Sequence, residues 1–221
     1  MFGRIARRYD LMNTLMTFGQ DARWRSAVAN MLPTYSASVL DVGTGTGRLA
    51  QAALHATRAS QVVGVDFTLP MLQRVPQQAD FQVAAADALT LPFQDARFDA
   101  VISGFVVRNL AALEQGIAEQ VRVLRPGGTL VILETTPGPT FPPLRGPYHL
   151  YFRYAVPLLG KLVAGDASAY TYLPESALAF VAPERLASLL RASGLRDVRI
   201  RRFSLGCVAL TSGRKAPGDG P

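Results

Sequence analysis

The segment Val39-Leu40-Asp41-Val42-Gly43-Thr44-Gly45-Thr46-Gly47 constrains this chain more than any other. A β-branched run ends there in three alternating glycines, and a helix-forming stretch, Gly47–His55, follows at once. Glycine at such a junction admits backbone conformations closed to other residues and lets a ligand approach the main chain. Strand, glycine loop and helix in that order predict the opening unit of a parallel α/β sheet. The spacing also separates ligand classes. A dinucleotide fingerprint reads G-x-G-x-x-G, with pyrophosphate on the helix N-terminus. Here the glycines fall at 43, 45 and 47, so NAD-dependent oxidoreduction is the weakest reading.

Short apolar runs alternate with helical stretches beyond the loop. Strands are expected at Val39–Val42, Gln61–Asp66, Phe81–Ala85, Phe98–Ser103 and Thr129–Glu134. Helices are expected at Leu69–Val75 and Ala112–Val123, and Arg125-Pro126-Gly127-Gly128 reads as a turn. Near-continuous apolar strands between helices imply a parallel sheet covered on both faces. An amphipathic helix at Ala182–Ser193 and a strand pair, Val198–Phe203 and Cys207–Thr211, close the domain. The expected fold is a doubly wound, Rossmann-like α/β sheet of parallel strands with a C-terminal antiparallel strand. Residues 1–213 form a single domain, with an N-terminal helical cap over 1–35 and a helical lid over 137–180. The lid is Pro-, Tyr- and Phe-rich and too long for a linker. Residues 214–221 read as a disordered tail.

Composition narrows the partners. Of 221 residues, 49% are hydrophobic and 18% charged, which describes an ordinary globular domain. No run reaches the roughly 18 apolar residues of a membrane span. The first residues, MFGRIARRYDLMN, carry arginines where a signal peptide needs an apolar core, so a cytoplasmic location is expected. Cys207 is the sole cysteine, which excludes an internal disulfide and a thiolate cage. His55 and His149 lie in no metal-ligand spacing, and no metal is expected. The net charge of +7 fits a soluble surface, an anionic membrane face or nucleic acid. The arginines are scattered without a nucleic-acid motif, so no nucleic acid is expected.

With Asp41 before it, the loop Gly43, Thr44, Gly45, Thr46, Gly47 resembles the S-adenosylmethionine motif of class I methyltransferases. Asp66, 19 residues beyond Gly47, ends the second strand beside Phe67. A carboxylate there accepts from both ribose hydroxyls, or else caps a helix. Asp87 and Ala88 follow the third strand, where class I enzymes meet the adenine; Asp87 also reads as a turn residue.

Four blocks make the resemblance specific: IARRYDLMNTLMTFGQDARWR, VLDVGTGTGRLA, GFVVRNL and GDASAYTYLPESALAF. From Phe2 to about Gly213 the chain resembles the menaquinone and ubiquinone biosynthesis C-methyltransferases, the UbiE/MenG/COQ5 family. The resemblance implies S-adenosylmethionine as cofactor, held at the positions of Thr46, Asp66, Asp87, Ala88 and Gly104. It implies a prenylated quinol as acceptor, demethylmenaquinol first and the ubiquinone-pathway benzoquinol as alternative. A non-catalytic scaffold of a quinone-synthesis complex is the third reading. Arg48 departs from the family, whose members carry an acid after the last glycine.

Arg108 and Tyr9 are the catalytic candidates. A hydrogen-bonded group of Tyr9, Arg108 and Asp66 would activate the quinol hydroxyl; alternatively Arg108 is a structural ion-pair partner and Tyr9 is core. His149 reads as a packing residue. The lid has two further readings, as binder of the prenyl tail or as an interfacial segment whose Arg153 and Lys161 meet headgroups. Peripheral membrane contact and a homodimer stand as open expectations.

Overall fold

Strands β1 (Ser38–Val42), β2 (Gln61–Asp66), β3 (Phe81–Ala85), β4 (Phe98–Gly104), β5 (Leu124–Thr135), β6 (Leu195–Phe203) and β7 (Val208–Lys215) form one sheet, ordered β3-β2-β1-β4-β5-β7-β6. The computed structural model describes residues 8–57, 59, 61–164, 176–178 and 180–217. β1 to β5 pair in parallel, and β7 runs antiparallel to both its neighbours. All five residues of β1 are buried, as a central strand covered on both faces requires.

Successive side chains of a strand point to opposite faces, and two cores follow from that alternation. Val39, Val62, Ala100 and Val131 pack under helices α2 (Gln20–Ala29) and α3 (Arg48–Ala56), through Trp24, Val28, Leu49 and Ala53. Leu40, Val101, Leu130 and Ile132 pack under α5 (Leu113–Val123) and α8 (Pro183–Ala192), through Ile117, Val121, Leu186 and Leu190. The short α4 (Leu69–Leu72) follows β2.

The chain leaves β1 for β2 on one side and later returns to β4 on the other. The carboxyl ends of β1 and β4 therefore flank a topological switch point, where doubly wound sheets bind ligands.

Two expectations are adjusted. Arg125–Gly128 is not a turn outside the sheet but lies within β5. Pairing jumps from Phe98–Leu124 to Ala100–Thr129, and Gly127 takes a left-handed φ of 76° to absorb the slack. β7 runs on through Arg214 and Lys215, so the ordered chain outlasts the expected boundary at 213. Lys215 Nζ donates to the carbonyls of Val121 and Leu124, each at 2.7 Å. The block at 165–180 lies mostly outside the described residues, as do residues 1–7 and 218–221.

The lid is helical from Pro142 to Ala164. It runs from a 3-10 turn, Pro142–Leu144, into α6 (Arg145–Leu150) and α7 (Val156–Leu159), with π-type turns at Tyr151–Ala155 and Gly160–Ala164. Pro157 has no N–H to return to the preceding turn, which loosens the coil there. Helix α1 (Tyr9–Met16) packs on the lid through a separate small core of Met12 and Val156. Cap and lid, far apart in sequence, thus form one layer.

Candidate active site

The glycine loop turns because Gly43, Gly45 and Gly47 adopt φ of 71°, 57° and 82°. At Gly43 a Cβ would also meet Val106 at 2.0 Å, and at Gly47 it would meet Phe81 at 2.7 Å. Gly45 has nothing within 4 Å of where its Cβ would be, and it lines the crevice. The loop's amides are largely spent. Gly43 and Thr44 both donate to the Val65 carbonyl, Gly47 donates to Thr44, and Gly45 donates to Asp66 Oδ2 at 2.9 Å. A loop that holds a carboxylate on its amide is no phosphate cradle, which agrees with the spacing argument against a dinucleotide.

Asp66 accepts on both oxygens, since Oδ1 takes the Thr68 amide at 2.7 Å. Asp66 is not the cap of α4, whose N-cap is Thr68 without a side-chain bond; it holds the turn before that helix and lines the cavity. Asp87 likewise accepts from the Leu89 amide at 2.9 Å while lining the same space.

The cavity, about 380 Å³, falls in the range of small-molecule sites. It gathers Gly43, Gly45, Asp66, Phe67, Asp87, Ala88, Gly104 and Tyr9 from the expected set. Asp41, Thr44, Thr46, Gly47 and Arg108 lie behind it and act on its walls. Thr44 Oγ1 and the Ala50 amide both donate to Asp41 Oδ2, at 2.8 Å and 3.1 Å, which ties the loop to β1 and α3. Thr46 Oγ1 donates to Asp10 Oδ1 at 2.8 Å, which ties the loop to α1. Asn109, which follows Arg108 beyond β4, lines the cavity, and Met71 and Val106 do so without having been anticipated.

Asp41 is fully buried, and its Oδ1 has no hydrogen-bond partner among the described residues. Desolvation pushes its carboxyl up to about 7, against the pull of Thr44 and Ala50 and with the push of Asp66. A carboxyl raised in the folded state favours folding when protonated. That contribution is complete below the ordinary value of 3.8 and is lost as pH rises through about 7. Asp41→Asn is accordingly expected to gain stability relative to wild type between pH 4 and pH 8, by on the order of 4 kcal/mol. Urea unfolding at the two pH values measures the gap; a constant difference would remove buried Asp41 as its cause.

Arg48 begins α3, where the helix dipole disfavours a cation. The structure supplies the compensation: Asp21, buried in α2, lies 3.3 Å from Arg48 and 2.5 Å from Arg25. Arg48 also reaches Thr14 of α1 at 3.4 Å. The departure from the family pattern thus joins the loop's helix to the cap. Arg48→Glu sets a carboxylate against Asp21 and is expected to cost about 1–2 kcal/mol of stability. An Asp21→Asn background should erase most of that cost in a thermal melt.

Tyr9 is half-buried over the cavity. Burial raises its phenol above the usual value, while a hydrogen bond with Asn13 and the Arg108 cation pull the other way. The raised phenol keeps its proton at neutral pH, which suits it to donate a hydrogen bond. Arg108 makes a buried ion pair with Glu134, Nη1 to Oε1 at 2.5 Å. Its guanidinium lies 5.8 Å from the centre of the Phe105 ring. The expected triad is therefore partly rearranged: Arg108 binds Glu134, Asp66 holds Gly45 and Thr68, and Tyr9 feels both charges at longer range. Glu134 had a signal in the sequence, as the lone charge at the end of an apolar strand, which calls for an opposite partner.

Solved structures share this architecture. A chain from the complex between the Haloferax volcanii Trm112 methyltransferase activator and a methyltransferase superposes with a TM-score of 0.68 at 17% identity, covering 98% of this chain and 99% of that one. A SAM-dependent methyltransferase of Thermotoga maritima gives 0.66 at 18%, covering 97% and 100%. The [4+2]-cyclase SpnF also gives 0.66, at 20% identity, covering 89% and 82%, so the fold by itself does not fix the chemistry. Sheet order, glycine loop and acidic end of β2 together define a class I methyltransferase, with S-adenosylmethionine as cofactor. The chain belongs to the ubiE/COQ5 methyltransferase family, which matches residues 1–215. It is 44% identical to the demethylmenaquinone methyltransferase of Deinococcus radiodurans, over 97% of this chain and 91% of that one. It is 42% identical to its Thermus thermophilus counterpart, over 96% and 99%. It is also 42% identical to the ubiquinone/menaquinone biosynthesis C-methyltransferase UbiE of Desulfotalea psychrophila, over 97% and 89%.

The residues present fit this cofactor. Asp66 offers a carboxylate for a diol, Asp87 an acceptor for an amino group, and Ala88, Leu89 and Met71 an apolar slot for a purine. The open face of Gly45 leaves room for the amino-acid end. Among the described residues no group of three or more His, Cys, Asp or Glu could hold a metal ion.

Proposed function

We propose that this enzyme methylates a ring carbon of demethylmenaquinol, giving menaquinol. The observation that carries this reading is full-length similarity to demethylmenaquinone methyltransferases, cap and lid included. S-adenosylmethionine supplies an electrophilic methyl group when bound. The acceptor is the quinol, because its hydroxyl lone pairs push electron density into the ring, whereas the quinone withdraws it.

Asp66 and Asp87 hold the cofactor, and the glycine loop admits it. The aromatic and aliphatic wall of Phe105, Val106 and Leu110 excludes water and seats the ring. Tyr9 keeps its proton and donates a hydrogen bond that orients a quinol oxygen, while the hydrogen displaced from the ring carbon leaves as a proton to water. Arg108 acts through Tyr9 as a positioning residue, its guanidinium fixed by Glu134. Alignment of the reacting atoms is the larger contribution.

The identity to UbiE of Desulfotalea psychrophila favours a second acceptor, the benzoquinol of the ubiquinone pathway. Mass spectrometry after incubation with the cofactor and a short-chain demethylmenaquinol, or its benzoquinol analogue, decides between them. A product heavier by one CH₂ from the naphthoquinol supports the leading reading. Product from the benzoquinol alone replaces it, and cofactor binding with no product from either revives the scaffold. Peripheral contact with a membrane, where such an acceptor resides, belongs to the same proposal.

A further inference from the structure

Cap and lid share an exposed apolar face. On the lid, Leu150, Tyr154, Leu158 and Leu162 are 57% to 70% exposed and recur at every fourth residue. A four-residue repeat drifts around a straight α-helix, which has 3.6 residues per turn. The π-type turns at Tyr151–Ala155 and Gly160–Ala164 widen the coil and hold the four in one stripe. α1 adds Leu11 and Leu15, and Phe18 follows at 78% exposed. The two patches adjoin: Tyr151 donates to the Met16 carbonyl at 3.0 Å, and its ring lies 5.9 Å from that of Phe18. An apolar surface of this extent on a folded domain marks an interaction site.

Charge selects the occupant. Between Thr136 and Ala164 there is no Asp or Glu, while Arg145, Arg153 and Lys161 recur at every eighth residue and are exposed. One residue out of phase with the apolar stripe, this cationic row runs beside it. Apolar side chains flanked by long cations suit an anionic lipid surface, where the stems lie along the acyl boundary and the heads meet phosphate.

We propose that this face, made jointly by α1 and the lid, docks the enzyme on an anionic bilayer. α1 is also the helix whose Tyr9 lines the cavity, so the docked face is the outer side of the cavity's roof. A lipid acceptor then passes from bilayer to cavity beside α1. This deepens the lipid-quinol reading and rests on it for its purpose, but not for its test.

The test is flotation with vesicles of phosphatidylglycerol and, separately, of phosphatidylcholine. Wild type should float with the anionic vesicles at low salt. Arg153→Glu/Lys161→Glu and Leu158→Glu/Leu162→Glu should each weaken that binding by about tenfold or more. Tyr35→Ser, exposed just before the amino end of β1 and so away from the carboxyl ends of the strands, should float like wild type. Leu158→Trp reads the contact directly, as a blue shift of its emission on anionic vesicles. Circular dichroism melts confirm folding of each variant. Wild type that fails to float, or charge reversals that float equally well, would overturn the inference. So would a concentration-dependent dimer that hides the new tryptophan without lipid. None of these readouts needs an acceptor, so failure to methylate quinols in detergent leaves them intact and counts against the proposed function alone.

Discussion

Asp66→Ala is expected to weaken S-adenosylmethionine binding by about a hundred-fold or more while the sheet stays folded. The carboxylate ends β2 and lines the cavity, which suits it to accept from a diol. Hydrogen bonds to a charged acceptor are worth about 1.5–3 kcal/mol each, so two of them amount to at least about a hundred-fold in affinity. Alanine has a second effect, because Asp66 also restrains the Gly45 and Thr68 amides. Asp66→Asn separates the two. Its carbonyl can keep one amide bond, so it should hold the loop better yet still bind the cofactor about tenfold or more below wild type. Isothermal titration calorimetry gives the affinities, and thermal melts report the fold. Wild-type affinity in the alanine variant would move the ribose contact to another residue.

What the sequence makes legible here is local. The buried β1, the acids that end β2 and follow β3, and the three glycines are dictated by backbone geometry and strand periodicity, and the structure brings most of them to one crevice. The glycines' separate reasons were not legible. Gly43 and Gly47 are small because Val106 and Phe81 crowd them, and both neighbours are remote in the chain. The same holds for contacts between segments. Nothing in the spacing joins Thr46 to Asp10 or Arg48 to Asp21, and nothing predicts that cap and lid share a core through Met12 and Val156. Arg125–Gly128 was misplaced for a different reason. Turn chemistry reads correctly there, but the turn is absorbed into a strand because a whole loop of β5 faces a single residue of β4.

Removing Arg108 should destabilise the fold as well as slow the reaction, and the two effects can be separated. The side chains of Arg108 and Glu134 are 4% and 3% exposed. Arg108→Ala leaves the Glu134 carboxylate buried without its cation, which costs about 3–5 kcal/mol. Loss of turnover in that variant alone would therefore say little about chemistry. Arg108→Met/Glu134→Gln removes both charges and keeps an acceptor for the Thr135 amide, which now bonds Glu134 Oε1 at 2.8 Å. Most of the lost stability should return, a coupling that a double-mutant cycle of urea unfolding measures. Activity should not return with it. The Arg108 cation lowers the Tyr9 phenol that burial raises, so without it Tyr9 titrates at still higher pH. The alkaline limb of the kcat profile should move up, and kcat at neutral pH should fall about tenfold to a hundred-fold as the less acidic Tyr9 donates a weaker orienting hydrogen bond to the acceptor oxygen. A stable double variant with the wild-type rate and pH profile would leave Arg108 as an ion-pair partner and nothing more. A folded variant that is slow, with cofactor affinity intact, assigns the buried pair to the positioning of Tyr9.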